Sequence, residues 1–119
     1  RARQEIGFCI QAASIYGLAH FPDKALALLN RAEEIAHRSN DKERRISIDY
    51  VRGTVYDSYD DEKATYYYKL AWDGINQTED HPQRGFYLYI LVDYFSRSGN
   101  AIELSKFAEE FAKYKHRAA

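Results

Sequence analysis

Side chains that commonly do chemistry are few in this chain and poorly spaced for it. The four histidines, His20, His37, His81 and His116, are scattered over expected helix ends and loops. No two stand four apart, the spacing that puts two imidazoles on one metal. His20, His37 and His116 are explained by helix C-termini, whose partial negative charge favours a cation. Cys9 has no second cysteine to pair with, and no base or orienting group can be assigned to make it a nucleophile. A free cysteine is usually a small buried apolar group, and Cys9 is expected to be one. The acids Asp57, Asp60, Asp61 and Glu62 carry enough charge for a cation but lack the alternating ligands and central glycine of a calcium loop. Helix capping and solvation account for them better. No glycine-rich phosphate loop occurs. The expectation is a chain that is not an enzyme, with no catalytic residue, no metal site and no cofactor.

Bulk composition agrees with a binding or structural role. Of 119 residues, 17 are Lys or Arg and 18 are Asp or Glu, a formal net charge of −1. With 45% apolar and 29% charged residues, six Gly and two Pro, this is the balance of a single globular domain spanning 1–119. Near-zero charge argues against nucleic-acid binding by this chain, which would need a basic surplus to displace counterions. No apolar run approaches the roughly 20 residues that cross a bilayer, so no membrane span is expected. No apolar signal core follows Arg1-Ala2-Arg3-Gln4-Glu5, and one unpaired cysteine points to a cytoplasmic setting. A chain without methionine that begins at Arg1 is expected to be a segment of a larger protein. Asn76-Gln77-Thr78 fits the N-glycosylation pattern, which is common by chance, and marks 76–81 as an exposed turn.

Three segments share one arrangement of small and large residues. They read Ala25, Leu28, Leu29, Ala32, Ile35, Ala36, then Ala64, Tyr67, Tyr68, Ala71, Gly74, Ile75, then Ala101, Leu104, Ser105, Ala108, Phe111, Ala112. Offsets of 0, 3, 4, 7, 10 and 11 trace one helix face, and the copies lie 39 and 37 residues apart. That period holds two helices and two turns. Asp23, Asp60-Asp61-Glu62 and Asn100 supply helix starts, Gly99 a helix end, and Pro82 a first-turn residue. The spacing predicts six helices, at about 3–20, 22–38, 42–58, 61–76, 82–98 and 100–116. The run Phe86–Phe95 is rich in strand formers. Length decides for helix: residues 82–98 span about 25 Å as a helix but roughly 56 Å as a strand. Gly53 inside a helix costs roughly 1 kcal/mol against alanine and implies a close helix crossing.

Ala at one offset, a bulky residue four on and Ala again at seven resembles the second helix of a tetratricopeptide repeat. The pairs Ala13 with Tyr16 and Gly53 with Tyr56 match that family's first helix. Tyr89 and Val92 fit less well, and Asp49 and Arg52 fall where the family has apolar residues. Ser105 replaces the usual bulky residue, and the family's closing proline is missing. The period resembles the longer-helix branch of signalling scaffolds and peptide-sensing bacterial regulators. The resemblance implies an all-α fold of three antiparallel helical hairpins, repeats 3–38, 42–76 and 82–116, stacked in a right-handed superhelical array. Hairpins that cannot bury their own apolar faces would share a core. Ala25, Ala32, Ala64, Ala71, Ala101 and Ala108 would let axes approach, and Leu29 and Tyr68 would fill between them.

Aromatics are abundant, with 11 Tyr, six Phe and one Trp. Tyr16, Tyr56, Tyr67 and Tyr68 are expected in the core, and Tyr66 outside it. The resemblance further implies a concave groove lined by first helices, which carries over to Gln11, Ser14, Tyr50, Thr54, Asp57, Phe86, Ile90 and Asp93. None is Lys or Arg, so clamping of a C-terminal carboxylate is not expected. An aromatic, mildly acidic lining suits a protein or peptide ligand with apolar and basic side chains. The leading expectation is a protein- or peptide-binding scaffold module of a signalling or regulatory protein. The rivals are a sensor segment of a bacterial transcription regulator or histidine kinase, and a self-association element using Tyr66, Trp72 or the edges of terminal repeats.

Overall fold

A computed structural model describes residues 1–118, and among them the chain forms six α-helices and no strand. They are α1 (Ala2–Leu18), α2 (Pro22–Arg38), α3 (Lys42–Tyr56), α4 (Asp61–Asn76), α5 (Arg84–Arg97) and α6 (Ala101–Ala118). Each end falls within two residues of the sequence expectation, and the strand-former-rich run lies wholly inside α5. None of these helices is long and apolar enough to cross a membrane.

Side-chain and backbone caps set the boundaries. Asp41, Asp60 and Asn100 each accept the backbone N–H three residues on, from Arg44 (3.1 Å), Lys63 (3.1 Å) and Glu103 (3.2 Å). At the ends of α1, α2 and α5 the chain turns through a left-handed residue: His20 (φ +66°), Asn40 (+53°) and Gly99 (+72°). The next N–H then reaches back five residues, from Phe21 to Tyr16, Asp41 to Ala36 and Asn100 to Phe95, satisfying a free helix carbonyl. His20 thus has a backbone duty besides any dipole effect. Pro82 is not in the first turn of α5. His81 takes over there, its Nδ1 accepting the Gln83 N–H at 3.0 Å and its carbonyl accepting Arg84 N–H at 3.1 Å.

Consecutive helices pair as three antiparallel hairpins. Glu5 near the start of α1 bonds Arg31 late in α2 (3.1 Å), while Tyr16 meets Phe21 at the turn. Gly53 of α3 faces Tyr68 of α4, and Ile46 faces Gly74. Phe95 of α5 stacks on Phe107 of α6 with centroids 5.7 Å apart, while Gly85 faces Tyr114. The chain divides into two compact units, Arg1–Gly74 and Ile75–Ala119.

In the first unit α3 packs on both α1 and α2. Ile6, Cys9 and Ala13 of α1, Ala25, Leu29, Ala32, Ile35 and Ala36 of α2, and Ile48, Val51 and Val55 of α3 form one buried cluster. Ala64 and Ala71 of α4 are also fully buried. Ala101 and Ala108 are not: both lie exposed on α6. In the second unit Phe107 meets α5 instead, its ring stacked on Phe95. Of the four tyrosines expected in the core, only Tyr68 is buried. Tyr16, Tyr56 and Tyr67 are half-buried. The Tyr16 and Tyr56 rings lie under the ammonium groups of Lys24 (5.5 Å) and Lys63 (5.3 Å), which stay hydrated at the surface. Trp72 is buried and so is no exposed adhesive residue, whereas Tyr66 is 60% exposed.

Candidate functional site

One side of α3 carries Tyr50, Thr54 and, just past its end, Asp57, with Tyr50 packed against the core cluster. Tyr50 is half-buried, its ring tilted against Tyr68 at 6.1 Å. Burial and the charge of Asp57 push its phenol above the ordinary tyrosine range. Asp57, just past the last turn, accepts the Tyr68 hydroxyl proton at 2.9 Å, so its carboxylate is held in place by α4. Thr54 is exposed and its hydroxyl donates to the Val51 carbonyl at 2.7 Å. On α1 Ser14 likewise donates to its own helix, at the Ile10 carbonyl (3.1 Å). Gln11 is exposed on the side that also bears Phe8 and Ile15.

In the second unit α5 repeats the pattern. Phe86 is 47% exposed, Ile90 and Asp93 are half-buried, and Asp93 pairs with Arg97 at 2.9 Å. Aromatic, β-branched side chain four on, aspartate seven on: Tyr50-Thr54-Asp57 and Phe86-Ile90-Asp93 are the same sentence written twice. Each unit therefore offers an apolar strip ending in a carboxylate. The spacing was readable in the sequence; the Tyr68 bond that steadies Asp57 was not.

A second polar group had no local signal beyond charges at apolar positions. Arg52 is 5% exposed, and its guanidinium bonds Glu33 (2.7 Å) and Asn30 (2.8 Å) of α2, with Asp49 at 3.8 Å. Its far face lies 5.5 Å from the Tyr67 ring centre. Five fixed donors let one arginine satisfy several acceptors at once. Asp49 is the strained member. Burial raises its pKa from 3.8 to about 6, Glu33 adds to the rise, and Arg52 and Arg45 oppose it. A raised folded-state value means this carboxyl contributes full stability below pH 4, where it is neutral folded or unfolded, and loses it as pH climbs through 6. Asp49→Asn should therefore stabilise the protein at pH 7, by about 1 kcal/mol after allowing for partial solvent screening. Thermal melts from pH 4 to 8 check this: the gain should shrink below pH 6 and vanish near 4. A gain equal at every pH would refute it.

Elsewhere, Cys9 is buried as expected, and residues 76–80 are exposed. His81 is not part of that exposed turn; it is 6% exposed and accepts the Gln83 N–H just ahead of α5. A cleft of about 310 Å³ beside it is lined by Asp80, Pro82, Arg84, Tyr114 and Arg117, with Arg84 bonded to Asn76 at 2.8 Å. No group of three or more His, Cys, Asp or Glu is arranged to hold a metal among the described residues. Compared with models of known protein families, with curated proteins and with solved structures, the chain finds no match in any of the three.

Proposed function

We propose that this chain is a scaffold of tetratricopeptide-like hairpins that binds a protein or peptide segment carrying apolar and basic side chains. The twice-written strip of aromatic, β-branched residue and aspartate carries the reading. Tyr50 and Phe86 offer broad, rigid contact surface with a small rotamer cost. Asp57 supplies negative charge beside Tyr50 and is pre-positioned by Tyr68, whereas Asp93 shares its charge with Arg97 at 2.9 Å. Ser14 and Thr54 spend their hydroxyl protons on their own helices, which leaves shape and charge as the terms that select a ligand. The strips on α3 and α5 each act on their own account in this reading.

Selection from a random peptide library tests it. Recovered sequences should combine Lys or Arg with Leu, Phe or similar residues. Asp57→Asn, which keeps an acceptor for Tyr68 but removes the charge, should weaken a selected peptide roughly tenfold at low salt, about 1.4 kcal/mol. Asp57→Lys should weaken it further. A library that returns no basic-apolar preference, or binding indifferent to both substitutions, rejects the proposal.

A further inference from the structure

The outer side of α4, turned away from the buried Ala64, Tyr68, Ala71 and Ile75, carries Glu62, Tyr66, Leu70 and Asp73. Offsets of four, eight and eleven keep them on one side of the helix, and all four are exposed. Glu62 and Asp73 stand about 16 Å apart along the axis. Tyr66 is 60% exposed, yet its ring meets Tyr67 in a T at 5.0 Å, and Tyr67 in turn stacks on Tyr56 at 5.8 Å. A broad ring held this way loses little freedom when something packs on it.

α2 shows the same side in a form the chain satisfies by itself. The step from Ala64 back to Ala25 carries Glu62, Tyr66, Leu70 and Asp73 onto Asp23, Ala27, Arg31 and Glu34. Both acids are kept. Between them α2 sets a small residue and a cation, Arg31, which bonds Glu5 at 3.1 Å and feels the charge of Glu34. α2 also closes on His37 and Arg38, which suit its negative end.

α4 has neither device. Leu70 stands where α2 has Arg31, and the last turn, which holds Asp73, contains no basic residue. The nearby cations are engaged: the Lys63 ammonium lies 5.3 Å from the Tyr56 ring centre, and Lys69 is half-buried with a contact of its own. Among the described residues Glu62 and Asp73 make no ion pair. Tyrosine and leucine are thus bracketed by two uncompensated carboxylates. It is the outer side of α2 with the cation removed and apolar surface added.

We propose that this side of α4 docks a helix of another protein, which sets apolar side chains on Tyr66 and Leu70 and a Lys or Arg beside each of Glu62 and Asp73. A ridge of residues four apart fits the groove between the ridges of a second helix. Carboxylates about 16 Å apart ask for cations eleven residues apart on that helix. The partner's cations do on α4 what Arg31 does on α2. Tyr66 is the anchor, and the two charges fix register and speed encounter. The surface uses none of Tyr50, Thr54, Asp57, Phe86, Ile90 or Asp93, so it stands independently of the strips on α3 and α5.

The probe is a helical peptide of about 20 residues with two lysines eleven apart and leucines four and seven residues after the first. Its twin carries glutamates in place of the lysines. Followed by amide NMR on the whole chain, the lysine peptide should move the resonances of residues 62–73, and the glutamate peptide should not. Tyr66→Ala should weaken the lysine peptide about tenfold. Glu62→Lys combined with Asp73→Lys should lose the lysine peptide and take up its twin, an exchange that damage to the fold would not produce. All three positions are exposed, so the helical circular dichroism should be kept. Asp57→Asn, which reads the α3 strip, should leave binding unchanged. A lysine peptide that leaves 62–73 unmoved overturns the proposal, as does one bound equally by the parent and charge-reversed chains. Binding lost with Asp57→Asn would put the probe on the α3 strip and overturns it too. So does a dimer of the chain alone that Tyr66→Ala dissolves, since a second copy would then be the occupant.

Discussion

Arg52→Met should lower the melting temperature by roughly 12 °C, the loss of about 3 kcal/mol in a chain of this size. Methionine keeps most of the apolar volume and bends to fit, so little of that loss comes from packing. It comes from the acceptors left behind. Asn30 loses a donor at 2.8 Å, and Asp49, with its side chain only 15% exposed, is left near Glu33 without a neutralising neighbour. Breaking a fully buried pair costs 3–5 kcal/mol; Glu33, 45% exposed, can turn to water, which places this case at the low end. Two further melts separate the causes. Adding Asp49→Asn should recover part of the loss by removing the stranded carboxylate. Lowering the pH below 6 should do the same, because a protonated Asp49 no longer needs the cation. A single variant that melts within about 2 °C of the parent at pH 7 would show that the network holds nothing together.

What the sequence discloses here follows from the range of each signal. Helix position is local: Asp41, Asp60 and Asn100 cap within three residues, and the Ala25 and Ala64 faces repeat within two turns. Both could be read directly. Periodicity shows that a helix has a small-residue face but not which neighbour covers it. The Ala101-Ala108 face of α6 is written like that of α2, yet one is solvent-exposed and the other buried. Tyr50, Thr54 and Asp57, and Phe86, Ile90 and Asp93, were reached through the resemblance and not through their shared spacing of four and seven, although that spacing is local. The bond from Tyr68 to Asp57 was not legible, since it joins two helices. Arg52 lies at the limit: a charge at an apolar position is visible, but its partners Asn30 and Glu33 stand on another helix. His81 was read as part of an exposed turn because burial of a polar ring has no sequence mark of its own.

Gly53→Leu should destabilise the protein by about 3 kcal/mol, a fall of roughly 12 °C in melting temperature. In open space the sign would be opposite, since glycine inside a helix costs about 1 kcal/mol relative to alanine and leucine is nearly as good a helix former. At Gly53 a Cβ would lie 2.6 Å from Cδ1 and 2.7 Å from Cε1 of Tyr68, well inside van der Waals contact. Tyr68 has nowhere to go. It is 3% exposed, its hydroxyl is bonded to Asp57 at 2.9 Å, and the Tyr50 ring lies 6.1 Å away. Leucine adds three carbons beyond that Cβ, so α3 and α4 must separate or the ring must leave the core. Tyr68→Ala supplies the control. Alone it should cost about 3 kcal/mol through the cavity it leaves. In that background Gly53→Leu should cost little, because the leucine side chain occupies the space the ring vacated. Paired thermal and urea denaturations of the four proteins measure the coupling. Equal losses from Gly53→Leu with and without the Tyr68 ring would mean that the damage lies in the α3 backbone and not in the crossing of the two helices.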